Sequence, residues 1–215
     1  MPIRRLDQGH PMRIAAKDLE TEATYKLITG IVVPRPIAWV TTLSPSGSVN
    51  LAPFSFFTCV APKPPLLAIS VGRSGGAYKD TARNILAGEE YVIHIADFSH
   101  LEALHLSATE YPPHVSEVEE AGLATVPSDE VKVPRLRDAP VAMECRFRDC
   151  IEFGHTRNRL IVGEVVVFHV RDGLVTEGKV ATRALDPIAR LAGPNYARLG
   201  EIVTMAAPHE AKKTS

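Results

Sequence analysis

Apolar residues alternate with polar ones, or run together, in five separate stretches of the chain. They are PIAWVTTL (36–43), LLAISVG (66–72), EYVIHIAD (90–97), VAMECRFRD (141–149) and RLIVGEVVVFHV (159–170). Short runs of this kind, bounded by Gly, Pro, Ser or Asp, predict β-strands. The pattern therefore predicts a mainly β fold in which a few short helices connect the strands.

The last two stretches differ in the number of faces that they bury. In 141–149 the apolar residues stand at odd positions and the charged residues at even ones, which predicts a strand with one wet face. In 159–170 both faces are apolar, so we expect the core to cover one of them and a neighbour to cover the other. A second subunit could be that neighbour.

A further run, VNLAPFSFFTCVAP (49–62), follows the turn SPSGS (44–48). This order predicts a hairpin in which the run returns antiparallel to 36–43. Because proline cannot donate to a sheet ladder, Pro53 predicts a bulge or an edge at that point.

Short helices are predicted at four places. Asp18 is a candidate N-cap for a helix over 18–29, and a helix of roughly ten residues starts near Thr81. Ser99 with Glu102, and Ser116 with Glu119, have the spacing of capping boxes. We interpret 98–138, which contains both boxes, as an insertion that covers a barrel opening.

Length and composition fit a single domain. The chain has 215 residues, 45% of them hydrophobic, and we expect an arm over 1–17, a domain over 18–206 and a tail over 207–215. Lys plus Arg number 24 against 25 Asp plus Glu, so no overall positive field favours nucleic acid. No apolar run reaches membrane-span length and no secretion signal opens the chain, which predicts a cytoplasmic protein without a membrane anchor.

Several common motifs are absent from the sequence. The three cysteines, Cys59, Cys145 and Cys150, are an odd number without metal-ligand spacing and are expected to be reduced. His100 and His105 are five residues apart, which does not put them on one helix face, so no metal site is predicted. The sequence matches neither the P-loop, nor the dinucleotide-binding fingerprint, nor the hydrolase nucleophile elbow.

The stretch SVGRSGGAYKDTARNI (70–85) separates a predicted strand from a predicted helix. Small residues expose backbone N–H groups there, Arg73 and Lys79 supply charge, and Thr81 supplies a hydroxyl at a helix N-terminus. This combination would suit one phosphomonoester. The alternative interpretation is a solvated turn whose charges bind nothing.

A second polar cluster lies in the run interrupted by Pro53. Asn50 and Ser55 stand in a stretch otherwise suited to a core, beside Phe56 and Phe57. Buried polar groups need partners, and an irregular backbone with two aromatic rings could meet a flat heteroaromatic ring. In the alternative interpretation, Asn50 and Ser55 only satisfy a bulge.

Eight segments, in order over roughly 25–200, resemble the flavin reductase-like family with the FMN-binding split barrel. They include PRPIAWVTT, VNLAPFSFF, PPLLAISVGR, KDTARNI, YPPHVSEVEEAGL, PVAMECRF, LIVGEVVVFHV and LDPIARLAGPNYARLG. The resemblance implies a six-stranded, Greek-key split β-barrel, a homodimer, and FMN bound near the dimer interface.

Carried over by position, the resemblance implies a set of cofactor-binding residues. Along the ring and the ribityl chain it places Asn50, Ser55, Phe56 and Phe57, and at or near the phosphate it places Ser70, Arg73, Lys79 and Thr81. Further candidates are Arg35, Thr41, His155, Arg190 and Tyr196. The chain departs from the family pattern at Ala192-Gly193, where a double glycine is usual, and at LHLSAT, where many relatives have an asparagine.

The resemblance also implies a function. It predicts an FMN-containing oxidoreductase that takes electrons from NADH or NADPH and delivers them to flavin, oxygen or a separate flavin-dependent monooxygenase. Two alternatives remain open: a flavoredoxin-like electron carrier without a pyridine nucleotide site, and a split-barrel module that binds flavin without catalysis.

Overall fold

A computed structural model describes residues 12–112 and 115–206, and its largest element is a seven-stranded antiparallel sheet. The strands are β1 (Ala38–Leu43), β2 (Val49–Phe54), β3 (Phe57–Pro62), β4 (Pro65–Val71), β5 (Glu90–Ile95), β6 (Val141–Phe153) and β7 (Asn158–Val170). Their order across the sheet is β2-β1-β5-β6-β7-β4-β3. The mainly β prediction is therefore confirmed.

The chain crosses from one edge of this sheet to the other at Ser55 and Phe56. These two residues separate β2, at one edge, from β3, at the other, so the polypeptide itself joins the two edges. The resemblance implied six strands; this sheet has seven, because the structure divides the run 49–62 into β2 and β3. The break does not lie at Pro53, which pairs with Trp39 in register, although β2 is an edge strand as predicted.

In the described ranges, five α-helices lie between and around the strands. They are α1 (Thr21–Ile31), α2 (Asp80–Gly88), α3 (Leu101–Leu106), α4 (Glu117–Glu120) and α5 (Thr182–Leu185), with 3-10 turns at Ala16–Asp18 and Phe98–His100. Two-residue strands pair as Arg35–Pro36 with Ala189–Arg190, Ala189–Arg190 with Tyr196–Ala197, Thr125–Val126 with Arg135–Leu136, Val175–Thr176 with Lys179–Val180, and Arg73–Ser74 with Ala77–Tyr78. Within the described ranges, no helix is long and apolar enough to cross a bilayer.

Two of the predicted helix caps are wrong. Asp18 lies in the 3-10 turn before α1, and the cap position of α1 is Glu20, which makes no side-chain cap bond. At Phe98–His100 the capping side chain is that of Asp97, which accepts from the backbone N–H of Ser99 at 3.2 Å. In both cases another residue lies closer to the true first turn.

Ser116 stands at the start of α4, as predicted, but its side chain does not cap that helix. Its hydroxyl donates to the carbonyl of Val49 at 2.7 Å, and the neighbouring Glu117 carboxylate accepts from the N–H of Leu51 at 2.9 Å. Both backbone groups belong to the edge strand β2. The two side chains therefore occupy an edge that would otherwise offer free pairing groups.

Apolar residues cover both faces of β1. Val40 packs with Ile69 and Ile93 inside the barrel, where Ile85 of α2 joins them. Trp39 faces the other way and packs with Leu104 and Leu136. The segment 98–138 thus covers the outer face of β1 and β2 instead of a barrel opening, because that face is itself apolar.

The even-numbered face of β6 is wet only at its far end. Arg146 and Arg148 are exposed, as predicted, but Glu144 has no exposed surface. Its carboxylate accepts from the N–H groups of Asp129 and Glu130, both at 2.7 Å, because the 129–131 backbone folds over the strand. The prediction of a wet face is wrong at this position.

His169 completes the surroundings of Glu144, with Nε2 at 2.6 Å from the carboxylate. Burial alone raises the pKa of Glu144, but the N–H of Asp129 and the imidazole of His169 outweigh burial and hold that pKa below its usual value. Possible ligand atoms of Asp129, Glu144 and His169 lie within 4.8 Å of one another. N–H donors already occupy the Glu144 oxygens, so we interpret the group as a structural anchor.

Candidate functional site

The segment between β4 and α2 forms a short hairpin that leads into the helix. Gly75 and Gly76 form its turn with φ of +54° and +80°, a backbone region that side chains rarely adopt. Lys79 then stands at the N-cap of α2, with no side-chain cap bond, and the helix begins at Asp80. The sequence places the helix start within one residue.

A cavity of about 260 Å³, here called the Lys79 cavity, lies between β2 and the start of α2. Its walls include Asn50, Lys79 and Thr81, three of the residues that the resemblance selects. The Asn50 amide donates to the Thr81 hydroxyl at 3.1 Å, which ties the edge strand to the first turn of the helix. The two polar clusters of the sequence therefore meet in one place.

Carboxylates also line the Lys79 cavity. The ammonium of Lys79 lies 3.8 Å from Glu110 in an exposed pair, and Asp80 pairs with Arg83. Glu117 is buried, and burial raises the pKa of its carboxyl despite the N–H of Leu51. An anion entering this cavity would have to replace Glu110 as the partner of Lys79.

A larger cavity of about 1020 Å³, here called the Arg73 cavity, lies against α1. Its walls include Tyr25 of α1, Phe56 of the strand break, Arg73 of the hairpin, and His155 and Asn158 around the β6–β7 turn. Gly76 borders this cavity and Ala77 borders the Lys79 cavity, so one hairpin runs along both. The larger cavity brings together residues more than 100 positions apart in the sequence.

The Arg73 guanidinium contacts the Tyr78 ring, and part of its hydrogen-bonding capacity is unused within the described residues. Its guanidinium carbon lies 4.3 Å from the centre of the Tyr78 ring, an attractive cation–π contact. In the part of the chain that the structure describes, its buried Nε has no hydrogen-bond partner. A buried donor without a partner is costly, so this side chain has unused capacity for an anionic group.

Arg35 is a cofactor candidate whose guanidinium bonds to the protein. It donates to the carbonyls of Thr29 at 2.7 Å and Val32 at 2.8 Å, at the end of α1, and its Nε donates to the Ser55 hydroxyl at 3.3 Å. Burial lowers the pKa of Arg35, and the nearby Arg190 lowers it further. Because the Ser55 oxygen accepts from Arg35, its own hydrogen is free to point elsewhere.

Arg190 and Tyr196 form a separate cluster with His105. The guanidinium of Arg190 donates to the Tyr196 hydroxyl at 2.9 Å, and Nδ1 of His105 lies 3.0 Å from the same oxygen. None of these three side chains lines either cavity. The structure therefore joins the two C-terminal candidates to each other and not to the Lys79 or Arg73 cavities.

Three other candidate residues make their contacts with the protein itself. Thr41 is fully buried and donates to the carbonyl of Pro134 at 2.9 Å. Phe57 packs against the barrel core, and Ser70 lies in β4, where its backbone N–H donates to the carbonyl of Phe56 at 2.8 Å. None of them lines either cavity.

Sequence reasoning missed three residues that border the cavities: Tyr25, Tyr78 and Glu117. Tyr78 lines the Lys79 cavity and stacks with Arg73, and it stood unremarked beside Lys79 in the predicted loop. Glu117 was noticed only as part of a predicted helix, because nothing in the sequence shows that α4 packs on β2. Tyr25 shows no signal beyond its place on an amphipathic helix.

The residues present fit the cofactor that the resemblance implies. A phosphate needs cations and N–H or O–H donors, which Arg73, Lys79 and Thr81 supply beside a helix N-terminus. A flat ring needs an apolar wall with a few polar groups, which Tyr25, Phe56 and Asn158 offer. The unpartnered Nε of Arg73 is the structural observation that most favours an anionic ligand here.

The family profile described as "Flavin reductase like domain" matches residues 30–185. Among solved structures, nitrilotriacetate monooxygenase component B from Bacillus cereus is 39% identical, with a TM-score of 0.89, over 92% of this chain and 100% of that one. The 2-nitrobenzoate 2-nitroreductase of Pseudomonas fluorescens is 35% identical, with a TM-score of 0.85, over 95% and 100% of the two chains. Flavoredoxin of Desulfovibrio vulgaris, 19% identical over 91% and 97% with a TM-score of 0.73, shares the fold.

Proposed function

Because this chain belongs to the flavin reductase-like family, we propose that it is an oxidoreductase that binds FMN and uses NADH or NADPH to reduce bound or free flavin. The match covers most of the barrel, and the similar solved structures include a monooxygenase component and a nitroreductase. A cytoplasmic location belongs to the same proposal, since both electron donors are cytoplasmic metabolites.

The observation that carries the proposal is the hairpin over 72–81, which runs along both cavities. It has a cation near each end, Arg73 and Lys79, and it leads directly into the N-terminus of α2. Among the described residues, Arg73 keeps a buried donor without a partner, and Lys79 pairs with an exposed carboxylate at 3.8 Å. Such an exposed pair is weak and can be exchanged for a stronger one with phosphate.

The protein's residues would bind and orient the cofactor. Arg73 and Lys79 would hold its phosphate, and the Thr81 hydroxyl, kept in place by Asn50 at 3.1 Å, would donate to it. Phe56 and Tyr25 would exclude water from one side of the ring. FMN held by these residues would supply two-electron redox chemistry between a reduced nicotinamide and an acceptor.

Arg35 supports this arrangement indirectly. By donating to Ser55, Val32 and Thr29 it fixes the strand break against the end of α1, two of the walls of the Arg73 cavity. The Ser55 hydrogen is then available to an acceptor at the break. We assign no residue as proton donor.

We also propose a homodimer and a separate flavin-dependent monooxygenase as partners. Ile28, Ile31 and Val32, at the end of α1, are 47%, 73% and 57% exposed, an apolar surface suited to a second copy of the chain. The monooxygenase is proposed from the similarity to a monooxygenase component B. This chain would reduce flavin, and the separate monooxygenase would use the reduced flavin. Light scattering after size-exclusion chromatography measures the mass of the proposed homodimer. Co-purification tests the proposed complex with a monooxygenase.

Removal of the Lys79 charge tests the cofactor site. Lys79→Ala should raise the Kd for FMN roughly tenfold or more, because a charge-assisted bond to phosphate contributes about 1.5–3 kcal/mol. Flavin fluorescence during titration measures the Kd, and circular dichroism checks the fold.

Lys179→Ala is the matched control, since Lys179 is exposed in a distant two-residue strand. It should leave the Kd for FMN at the wild-type value. An unchanged Kd in Lys79→Ala would contradict the assignment of the phosphate site, and the absence of any FMN binding to the wild type would contradict the proposed function.

A further inference from the structure

A third cavity, here called the Arg135 cavity, has a volume of about 580 Å³ and lies at the far end of β7. It shares no lining residue with the Lys79 and Arg73 cavities. Asn158, which lines the Arg73 cavity, and Phe168, which lines this one, are ten positions apart on the same strand. An extended strand of that length spans about 33 Å. One FMN molecule therefore cannot reach from the Arg73 cavity to the Arg135 cavity.

Basic side chains dominate the lining of the Arg135 cavity. It contains three arginines and a histidine but one carboxylate, and these residues are Arg135, Arg137, Arg171, His169 and Asp138. The chain as a whole has a formal net charge of −1, so this local excess of positive charge is not a consequence of composition. Asp97 and Glu144, outside the lining, bond to Arg171 and His169, so the positive charge left for an anion is that of Arg135 and Arg137.

The basic groups differ in how far other residues already bind them. Arg171 is bonded to Asp97 at 2.9 Å, and Arg137 forms an exposed pair with Asp138 at 3.2 Å. Arg135 has no ion pair or hydrogen bond from its guanidinium within residues 12–112 and 115–206, and its Nε is buried without a partner. One guanidinium therefore has all of its donors available, and a second holds only a weak surface partner.

The positive field extends to a neighbouring buried group. The pKa of His94 is lowered to about 4, first by burial and then by the charges of Arg135 and His169, against a raising effect of the Trp39 carbonyl. His94 lies behind the cavity and bonds to the N–H of Leu136, next to Arg135. Arg135 therefore lies close enough to His94 for its charge to act there.

Phe168 and Val170 also border the cavity, and Phe168 is 58% exposed. Phe168 pairs with Met143 of the barrel core and His169 pairs with Ala142, so the Phe168 side chain is on the opposite face of β7 from the His169 imidazole. Recognition of a ligand beside His169 therefore depends on the arginines and not on this ring.

We propose that the Arg135 cavity binds a phosphate-bearing ligand of mononucleotide size, with its phosphate on Arg135 and Arg137. Guanidinium groups match phosphate oxygens in pairs, which favours phosphate over a single halide or carboxylate. The site is separate from the proposed flavin site, and the proposal does not depend on it.

Calorimetric titration with AMP of the protein that carries one equivalent of FMN, with no free FMN present, tests the proposal. We expect saturable binding with a Kd of about 1 mM or tighter. Arg135→Gln should weaken the binding roughly ten- to a hundredfold, since it removes a charge-assisted bond to phosphate. Arg137→Gln, at an exposed position where substitutions usually cost little stability, should weaken it less, because the Arg137 guanidinium already pairs with Asp138.

A control variant separates this site from others. Arg13→Gln removes an exposed arginine outside the cavity and should leave AMP binding unchanged. No AMP binding to the wild type, or equal AMP affinity in wild type, Arg135→Gln and Arg137→Gln, would overturn the proposal.

Discussion

At the scale of single residues, His94 shows how a titratable group is used for packing. It has no exposed surface, and both ring nitrogens are bonded: Leu136 N–H donates to Nε2 at 2.9 Å, and Nδ1 lies 2.9 Å from the Trp39 carbonyl. Nε2 therefore accepts and Nδ1 carries the hydrogen. The ring joins β1, β5 and the strand at Arg135–Leu136 only while it is neutral.

Acid should therefore destabilise the protein through His94. Its pKa is about 4 in the folded state and 6.5 in the unfolded state, so below pH 6.5 the unfolded chain binds a proton that the folded chain does not. The free energy of unfolding should fall by about 3 kcal/mol between pH 6.5 and pH 4 from this group alone. Urea denaturation across that range measures the fall.

His94→Gln isolates this contribution. The variant should be less stable than the wild type at pH 7, and the difference between the two should shrink as the pH falls towards 4. A constant difference across the range would show that His94 already titrates normally in the folded state.

Other residues show where sequence reasoning stops. The polar residues Asn50, Lys79 and Thr81 were selected from the sequence and meet in one cavity. Glu144 was predicted to be exposed, because the alternation along the strand was the only signal at that position. Its burial depends on a loop 13 to 15 residues earlier in the chain, which no strand pattern describes. Arg35 matches the resemblance, but only the structure reveals that it binds carbonyls of α1.

At the scale of elements, packing inside the barrel depends on one missing side chain. The Tyr91 ring on β5 reaches across β6 to Gly163 on β7, and a Cβ at position 163 would lie 1.9 Å from its hydroxyl oxygen. Tyr91 is fully buried. A residue other than glycine would therefore have to displace a large ring in a close-packed core.

Gly163→Ala should destabilise the protein by about 1–3 kcal/mol, the usual range for overpacking. Gly88→Ala is a suitable comparison, since that helical glycine has open space around it, and it should stabilise by about 0.5–1 kcal/mol. Chemical denaturation measures both. Equal stability of Gly163→Ala and the wild type would mean that Tyr91 moves without cost.

The elements were predicted as well as their local patterns allowed. The long strands and α2 follow from alternation and from an apolar helix face, and the structure has them close to the predicted bounds. The break at Ser55 and Phe56 was not predicted, because it is set by the chain crossing between sheet edges and not by Pro53. The Asp18 and Ser99 caps failed because helix starts depend on a few side-chain bonds that spacing alone does not fix.

At the scale of the whole molecule, the proposed ligand-binding functions lie in three separate cavities of the described residues. The barrel holds the hairpin over 72–81 between the Lys79 and Arg73 cavities, and β7 connects that end to the Arg135 cavity. Sequence resemblance selected some of the residues that line the first two, since the motifs were recognisable in order. It gave no sign of the third, whose basic residues come from separate segments without a shared motif.

The central claim, that this chain is a flavin reductase, is tested most directly by anaerobic stopped-flow mixing of the FMN-loaded protein with NADH and, separately, with NADPH. The account predicts fast loss of the oxidised flavin absorbance with a rate that saturates as one of the two donors is raised. Flavin that is retained by the protein but bleached no faster than free FMN by either donor would contradict it and favour an electron carrier or a binding module.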